Sequence, residues 1–340
     1  MSSDAILLIG FGGPEGPDEV LPFLRRVTAG KNIPDERLVE VGRHYDHFGG
    51  VSPINEYHRD LIRRWTPHLE QRWPGLPLYW GNRNSPPFIA DALEQMRSDG
   101  VTSAVAAVTS AFSSFSGCRQ YRQDIEAARE EVPGSPEVVK AHPFFDHPLM
   151  VAMWADQVRA GLAEVGDHRT LVLFSTHSIP EAAAAAAGPG GTGAYVQQHM
   201  ELAEAVMAEI GSTDWDLCYQ SRSGPPHQPW LEPDVSDRLA TAQQEGYAAV
   251  VLVPLGFISD HVEVLWDLDT VAMADGEQLG LAMVRVPTIG TDERFLTVLT
   301  DLVAEYRGEG PFPSFRGAPL QACPTNCCLP VGRQAAGGRP

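Results

Sequence analysis

Basic residues are scarce in this chain. Its 340 residues include 25 Lys and Arg against 44 Asp and Glu, a formal net charge of -19. A nucleic-acid-binding face is basic because it must neutralise phosphates, so no nucleic-acid partner is expected. A small anionic ligand stays open, since a few local arginines suffice for one. Long apolar runs are also missing. Nothing approaches the ~18 consecutive apolar residues of a membrane span, and no transmembrane segment is expected. The opening Met1-Ser-Ser-Asp-Ala-Ile-Leu-Leu-Ile-Gly10 lacks the positive start and the apolar length of a secretory signal. The expectation is a cytoplasmic protein. Cysteines number only 5. Cytoplasmic thiols stay reduced, so cysteines clustered in sequence suggest metal binding before disulfides.

Apolar residues make up 43% of the chain, ample for a packed core in one large or two ordinary domains. Short apolar runs recur at 5–9, 77–81, 102–108, 137–140, 170–175, 215–220, 248–253 and 283–287. Several are rich in Val, Ile and Leu, and helix-like or polar stretches separate them. Continuous apolar strands alternating with helices predict an α/β fold with parallel sheet covered on both faces. The runs fall into two groups of four, with a break near 143–170 where a helix over 149–165 could cross over. Two similar doubly wound halves are expected, with the active cleft between them. The boundaries expected are 1–148, 149–310 and a Pro- and Gly-rich tail over 311–340. Residues 181–193 read as an alanine-rich helix running into a glycine loop. Open α/β sheets bind ligands beyond the carboxyl ends of their strands, so the residues after each run deserve inspection.

The first run leads into Gly10-Phe-Gly-Gly-Pro-Glu15. A glycine turn there could hold a phosphate, but Pro14 removes a donor and the G-x-G-x-x-G spacing is not met. The plainer reading is a tight turn that lets a flat ligand approach the backbone. Ser175-Thr-His-Ser-Ile-Pro180 places His177 at a strand's carboxyl end. An imidazole with a pKa near ~6.5 can take a proton or bind a metal near neutrality. A loop-capping histidine is the plainer alternative, and the neighbouring hydroxyls favour function. Residues 254–269 carry Asp260, His261, Glu263, Asp267 and Asp269. Glu263 and Asp267, four apart, share one helix face and could pass a hard cation inward. A solvated acidic face is the usual alternative, but Leu265, Trp266 and Leu268 interleave with the acids.

Other polar loops follow strands. Gln220, Ser221 and Arg222 could hold carboxylates, Tyr45 and Ser52 offer hydroxyls, and residues 112–121 offer aromatic surface and Arg119. In the tail, Cys323-Pro-Thr-Asn-Cys327-Cys328 is hard to explain as packing. A disulfide between neighbours would be strained. Three thiolates and a fourth suit zinc or an iron–sulfur cluster. The fourth is Cys118 or Cys218; Cys118 is favoured because its loop is polar and Cys218 sits inside a strand.

With these motifs in view, the chain resembles the ferrochelatase family over nearly its whole length. The residues that carry the resemblance are Gly10-Phe-Gly-Gly-Pro14, Phe48-Gly-Gly-Val-Ser-Pro-Ile54, Ser175-Thr-His-Ser-Ile-Pro180, Tyr219-Gln-Ser-Arg-Ser-Gly-Pro225 and the stretch 256–269. The C-terminal cysteines resemble those of members carrying a 2Fe-2S cluster. Within that set, the chain is similar to actinobacterial-type enzymes that act on coproporphyrin III and yield coproheme for heme b. The resemblance implies two Rossmann-like domains, each a four-stranded parallel sheet flanked by helices, with the porphyrin between them. It implies a lyase that takes ferrous iron and a porphyrin as substrates. His177 and Glu263 would face each other across the ring and touch Fe2+, with Asp267 as a relay. Ser52 and Tyr121 match propionate-holding positions, with Tyr45 and Arg26 as further candidates. Cys118, Cys323, Cys327 and Cys328 match the cluster ligands, the tail packing back on the first domain. A monomer is implied, with transient contact with neighbouring heme-pathway enzymes. Phe11 stands where some relatives have an iron-ligating tyrosine, Val271 where some continue the acidic ladder, and His44 where some have arginine.

Several alternatives accompany this reading. They are a protoporphyrin IX ferrochelatase giving protoheme, a cobalt or nickel chelatase for another tetrapyrrole, and a non-catalytic heme or iron sensor. A zinc-stabilised α/β hydrolase finds no G-x-S-x-G elbow to support it.

Overall fold

The computed structural model describes residues 3–31, 33–211, 214–224, 227–317 and 323–331. Pro225 of the fourth motif and the end of the tail lie outside them. The strands are β1 (Ala5–Gly10), β2 (Leu78–Asn82), β3 (Ser103–Val108), β4 (Glu137–Lys140), β5 (Thr170–His177), β6 (Trp215–Gln220), β7 (Ala249–Val253) and β8 (Ala282–Arg285). They form two parallel four-stranded sheets, ordered β2-β1-β3-β4 and β6-β5-β7-β8. The same order is used twice, so each half is one copy of one topology. Central strands β1 and β7 are buried along their full length, as apolar sequence on both faces requires. Register is fixed by pairs such as Leu8 with Ala107 and Phe174 with Val253. The predicted strands are all present, two with the expected ends and the rest shifted by at most two residues; β5 runs two residues further and ends on His177 itself.

The crossover helix Pro148–Val165 starts with His147 as its cap, whose Nδ1 accepts a hydrogen bond from Leu149 N at 3.1 Å, and with proline in the first turn. It packs so tightly on the second sheet that a Cβ at Gly161 would stand 2.7 Å from Val251 Cγ1. Its buried Met150, Trp154 and Val158 join one apolar core that spans both halves, from Leu8 and Trp65 to Phe174 and Val251. The last helix, Glu293–Tyr306, returns to the first half and packs on β3 and the helix Ile54–Arg72. There Trp65 Nε1 donates to Thr300 Oγ1 at 2.9 Å. A division at 148 and 310 therefore separates the two sheets but not the packing of this helix. Among the described residues, no helix is long and apolar enough to cross a membrane.

Candidate functional site

In each sheet the chain turns from one side to the other between its two central strands. A ligand crevice is expected beyond the carboxyl ends of those strands. In the second sheet they are β5 and β7, and the two strongest candidates follow them. His177 ends β5, and Glu263 lies in a single helical turn, Val262–Val264, soon after β7. The helix expected to continue from Glu263 is a π-helix, Leu265–Ala272, whose wider turn still carries Asp267.

His177 is held from both sides. A carbonyl oxygen only accepts, so the 2.5 Å contact to Ser178 O assigns the proton to Nδ1. That leaves Nε2 facing Glu263 Oε2 at 3.6 Å. Burial pulls the His177 pKa down, but the hydrogen bond and charge of Glu263 outweigh it and the net shift is upward. Burial pushes Glu263 the other way, yet His177, then His261 and Lys31, bring it down to about 2. The side chains remain 35% and 47% exposed, so solvent screens the pair; it sets protonation state more than stability.

Asp267 has a different environment. Burial raises its pKa to about 6, with the Ser221 hydroxyl opposing and Glu263 adding to the rise. Ser221 donates to Asp267 from a left-handed backbone, φ +62°, a conformation costly to a residue with a Cβ. Gln220, Ser221, Asp234 and Asp267 line a cavity of about 80 Å³ that Val271 also borders.

The first half supplies aromatic wall. Phe11, after β1, lies 6.2 Å from Phe23, which lies 5.9 Å from Tyr45. This cluster includes Val262, next to Glu263, so it joins the two halves beside the pair. Trp266 stacks on His44 at 4.2 Å and meets His47 edge-on at 5.6 Å. Tyr45 is buried there, and burial pushes its phenol pKa up. Ser52 is buried where the chain passes Gly13. Tyr121 belongs instead to the first-half core beneath Arg83, whose guanidinium is 4.5 Å from its ring centre. Arg26 is committed to the first-half frame, with Nε 2.7 Å from Asn84 O. Sequence reasoning missed Arg83, which follows β2 and links Tyr121, Phe11 and Asp124. It also missed Tyr195 and His199 on the helix Ala194–Ile210. These lie one turn apart on the buried face of that helix, behind His177.

The four expected cysteines come together, and Cys218 stays apart in the core of the second sheet. Cys118 Sγ is 3.9 Å from Cys323 Sγ, and Cys327 Sγ is 3.6 Å from Cys328 Sγ. None is in a disulfide. Hydrogen bonds from Cys323 and Cys328, and the Lys140 ammonium 3.5 Å away, draw the Cys118 thiol down toward thiolate. The tail meets both halves: Arg119 binds Thr325 O at 2.6 Å, and Gly188 N donates to Cys328 Sγ at 3.3 Å. Among the described residues, no three His, Cys, Asp or Glu side chains are arranged to hold a single metal ion.

Comparison with known proteins agrees with this architecture. SirB from Bacillus subtilis, solved with Fe3+, superposes over 92% of this chain and 100% of its own with a TM-score of 0.56. At 12% identity that likeness concerns the fold alone. The coproporphyrin III ferrochelatase of Leifsonia xyli is 47% identical, covering 96% of this chain and 90% of the relative. That of Nocardia farcinica is 46% identical over 100% of both chains. The family model described as Ferrochelatase matches residues 3–307, which include both sheets and the His177–Glu263 pair, and the chain belongs to the ferrochelatase family.

Proposed function

We propose that this protein inserts ferrous iron into coproporphyrin III, giving Fe-coproporphyrin III (coproheme). The carrying observation is the His177–Glu263 pair, held at 3.6 Å beyond the ends of β5 and β7. The names of the two bacterial relatives support the choice of porphyrin. Insertion exchanges two pyrrole N–H protons for one Fe2+. A flat ring keeps its nitrogen lone pairs in its own plane. A site complementary to a distorted ring would expose them to iron on one face. His177 Nε2 is the proton acceptor and a transient contact for iron, because Nδ1 is committed to Ser178 O. Glu263 steadies the imidazolium that forms, and Asp267, near half-protonation at about pH 6, passes protons or metal onward. Ser52, Tyr121, Tyr45 and Arg26 are the proposed propionate contacts by their match to the family's motifs; Tyr121 packs in the first-half core and Arg26 bonds Asn84 O, so both must turn to reach a propionate.

Cys118, Cys323, Cys327 and Cys328 would hold a 2Fe-2S cluster. The donors fit it: four free cysteines gathered in one cluster, each sulfur beside two others, with Lys140 and Gly188 N–H close to the sulfurs. The cluster supplies structural cross-linking, since metal insertion transfers no electron. Thiols kept for such a group suit the reducing cytoplasm.

The test is anaerobic Fe2+ insertion by the purified protein, with coproporphyrin III and protoporphyrin IX offered side by side. A higher kcat/KM for coproporphyrin III supports the proposal. Preference for protoporphyrin IX favours the protoheme alternative, and no insertion into either removes the enzymatic reading.

A further inference from the structure

Behind His177 lies a buried polar network that the proposed chemistry does not use. Thr176, Tyr195 and His199 are each at most 7% exposed. His199 Nδ1 is 2.7 Å from Tyr195 O. That oxygen only accepts, so the proton is on Nδ1 and Nε2 is an acceptor. Nε2 faces Thr176 Oγ1 at 2.9 Å, and the Thr176 hydroxyl donates to it. Tyr195 Oη lies 2.9 Å from the same Thr176 oxygen and 2.8 Å from His177 O. The His177 carbonyl cannot donate, so the Tyr195 proton goes to it. The one Thr176 proton serves His199, and the Thr176 oxygen and the Tyr195 hydroxyl lie against each other with the Tyr195 proton turned to His177 O. The network therefore touches the main chain of His177 through the Tyr195 hydroxyl.

The first half of the molecule presses on this network. Phe112 stacks on the His199 ring with centroids 3.6 Å apart. Ser113 N donates to Gln198 Oε1 at 2.7 Å, and Gln198 Nε2 donates to Ser113 Oγ at 2.9 Å. Buried polar groups cost stability unless satisfied, and apolar side chains would fill the same space more cheaply. A network that survives there needs a reason beyond packing.

We infer that Thr176, Tyr195 and His199 are positioning residues. They fix the His177 peptide so that the ring points Nε2 at the metal and the porphyrin nitrogens, and the contacts of Phe112 and Ser113 hold them in place. The inference rests on the role proposed for His177. A base displaced by ~1 Å can lose up to ~10²-fold in rate without changing how the substrate is held.

The experiment is steady-state Fe2+ insertion by wild type, Tyr195→Phe, Thr176→Val and Thr176→Ser, with thermal unfolding of each. Tyr195→Phe keeps the ring and removes only the hydroxyl. The expected result is roughly tenfold lower kcat for Tyr195→Phe and Thr176→Val. KM for the porphyrin stays within about twofold, and Thr176→Ser, which keeps the hydroxyl, retains near wild-type kcat. If Tyr195→Phe does not fold, the Val and Ser pair at Thr176 decides the matter alone. Wild-type kcat in the folded Tyr195→Phe or Thr176→Val protein overturns the inference, as does a loss that merely tracks the unfolded fraction. A wild type that inserts no iron overturns the reading of His177, and this inference with it.

Discussion

His177 Nε2 stands 3.6 Å from Glu263 Oε2, and each group favours the charged form of the other. The His177 pKa is raised above its ordinary 6.5, so its contribution to stability is complete below that value and fades as pH rises through the folded value. The Glu263 pKa is lowered from 4.5 to about 2, so its contribution is present above 4.5 and is lost as pH falls toward 2. Between 4.5 and 6.5 both contributions are present. As pH rises through the raised His177 value its proton leaves, which frees Nε2 for the base role proposed for it.

Replacing Glu263 by Gln removes the charge that raises His177. The His177 pKa should fall, readable as a shift of its imidazole titration by NMR, and kcat should drop by ~10²-fold or more. An unmoved titration would show that the carboxylate does not set the imidazole.

Ser221 favours the ionised form of Asp267 by donating to it, so Ser221→Ala should raise the Asp267 pKa above about 6. If the carboxylate is the working form, the acid limb of the kcat–pH profile moves to higher pH. A limb that stays in place argues that Asp267 is no relay.

Cys327→Ser should abolish the visible absorption of the proposed 2Fe-2S cluster and lower the unfolding temperature before it alters chemistry, because metal binding adds to folding free energy. An equally stable, fully active variant contradicts the structural role. Arg119 and Gly188 contact the tail from opposite halves, so loosening should be detected on both sides by hydrogen exchange.

Gly256→Ala tests the packing behind β5. A Cβ there would stand 2.2 Å from Thr176 Oγ1 and 3.0 Å from Thr176 Cα. Denaturant unfolding should register a loss of about 1–3 kcal/mol. Unchanged stability would mean that β5 and the loop after β7 are not so closely apposed.

Much of this was legible in the sequence because strand patterning is local. Eight apolar runs foretold eight strands, and the rule that ligands gather beyond strand ends picked out His177. The repeat of one topology left no repeat in the residues, since any β-branched or aliphatic side chain can fill a buried strand. The π-helix after Glu263 was read as ordinary helix, because spacing of four suits both. Tyr195 and His199 look like core positions until Thr176 is seen against them. The return of Glu293–Tyr306 to the first sheet is a long-range contact that no local pattern encodes. Arg83 was overlooked because its partners Tyr121, on a helix, and Phe11, after β1, are far from it in sequence and meet it once folded.

The central claim is that His177 takes the ring protons as one Fe2+ enters coproporphyrin III. The direct measurement is anaerobic conversion of coproporphyrin III to its iron complex, followed by absorbance, for wild type and His177→Ala at matched concentrations of folded protein. The account predicts turnover by the wild type and at least ~10²-fold slower turnover by the variant. Near-normal turnover by His177→Ala, or none by the wild type, would contradict it.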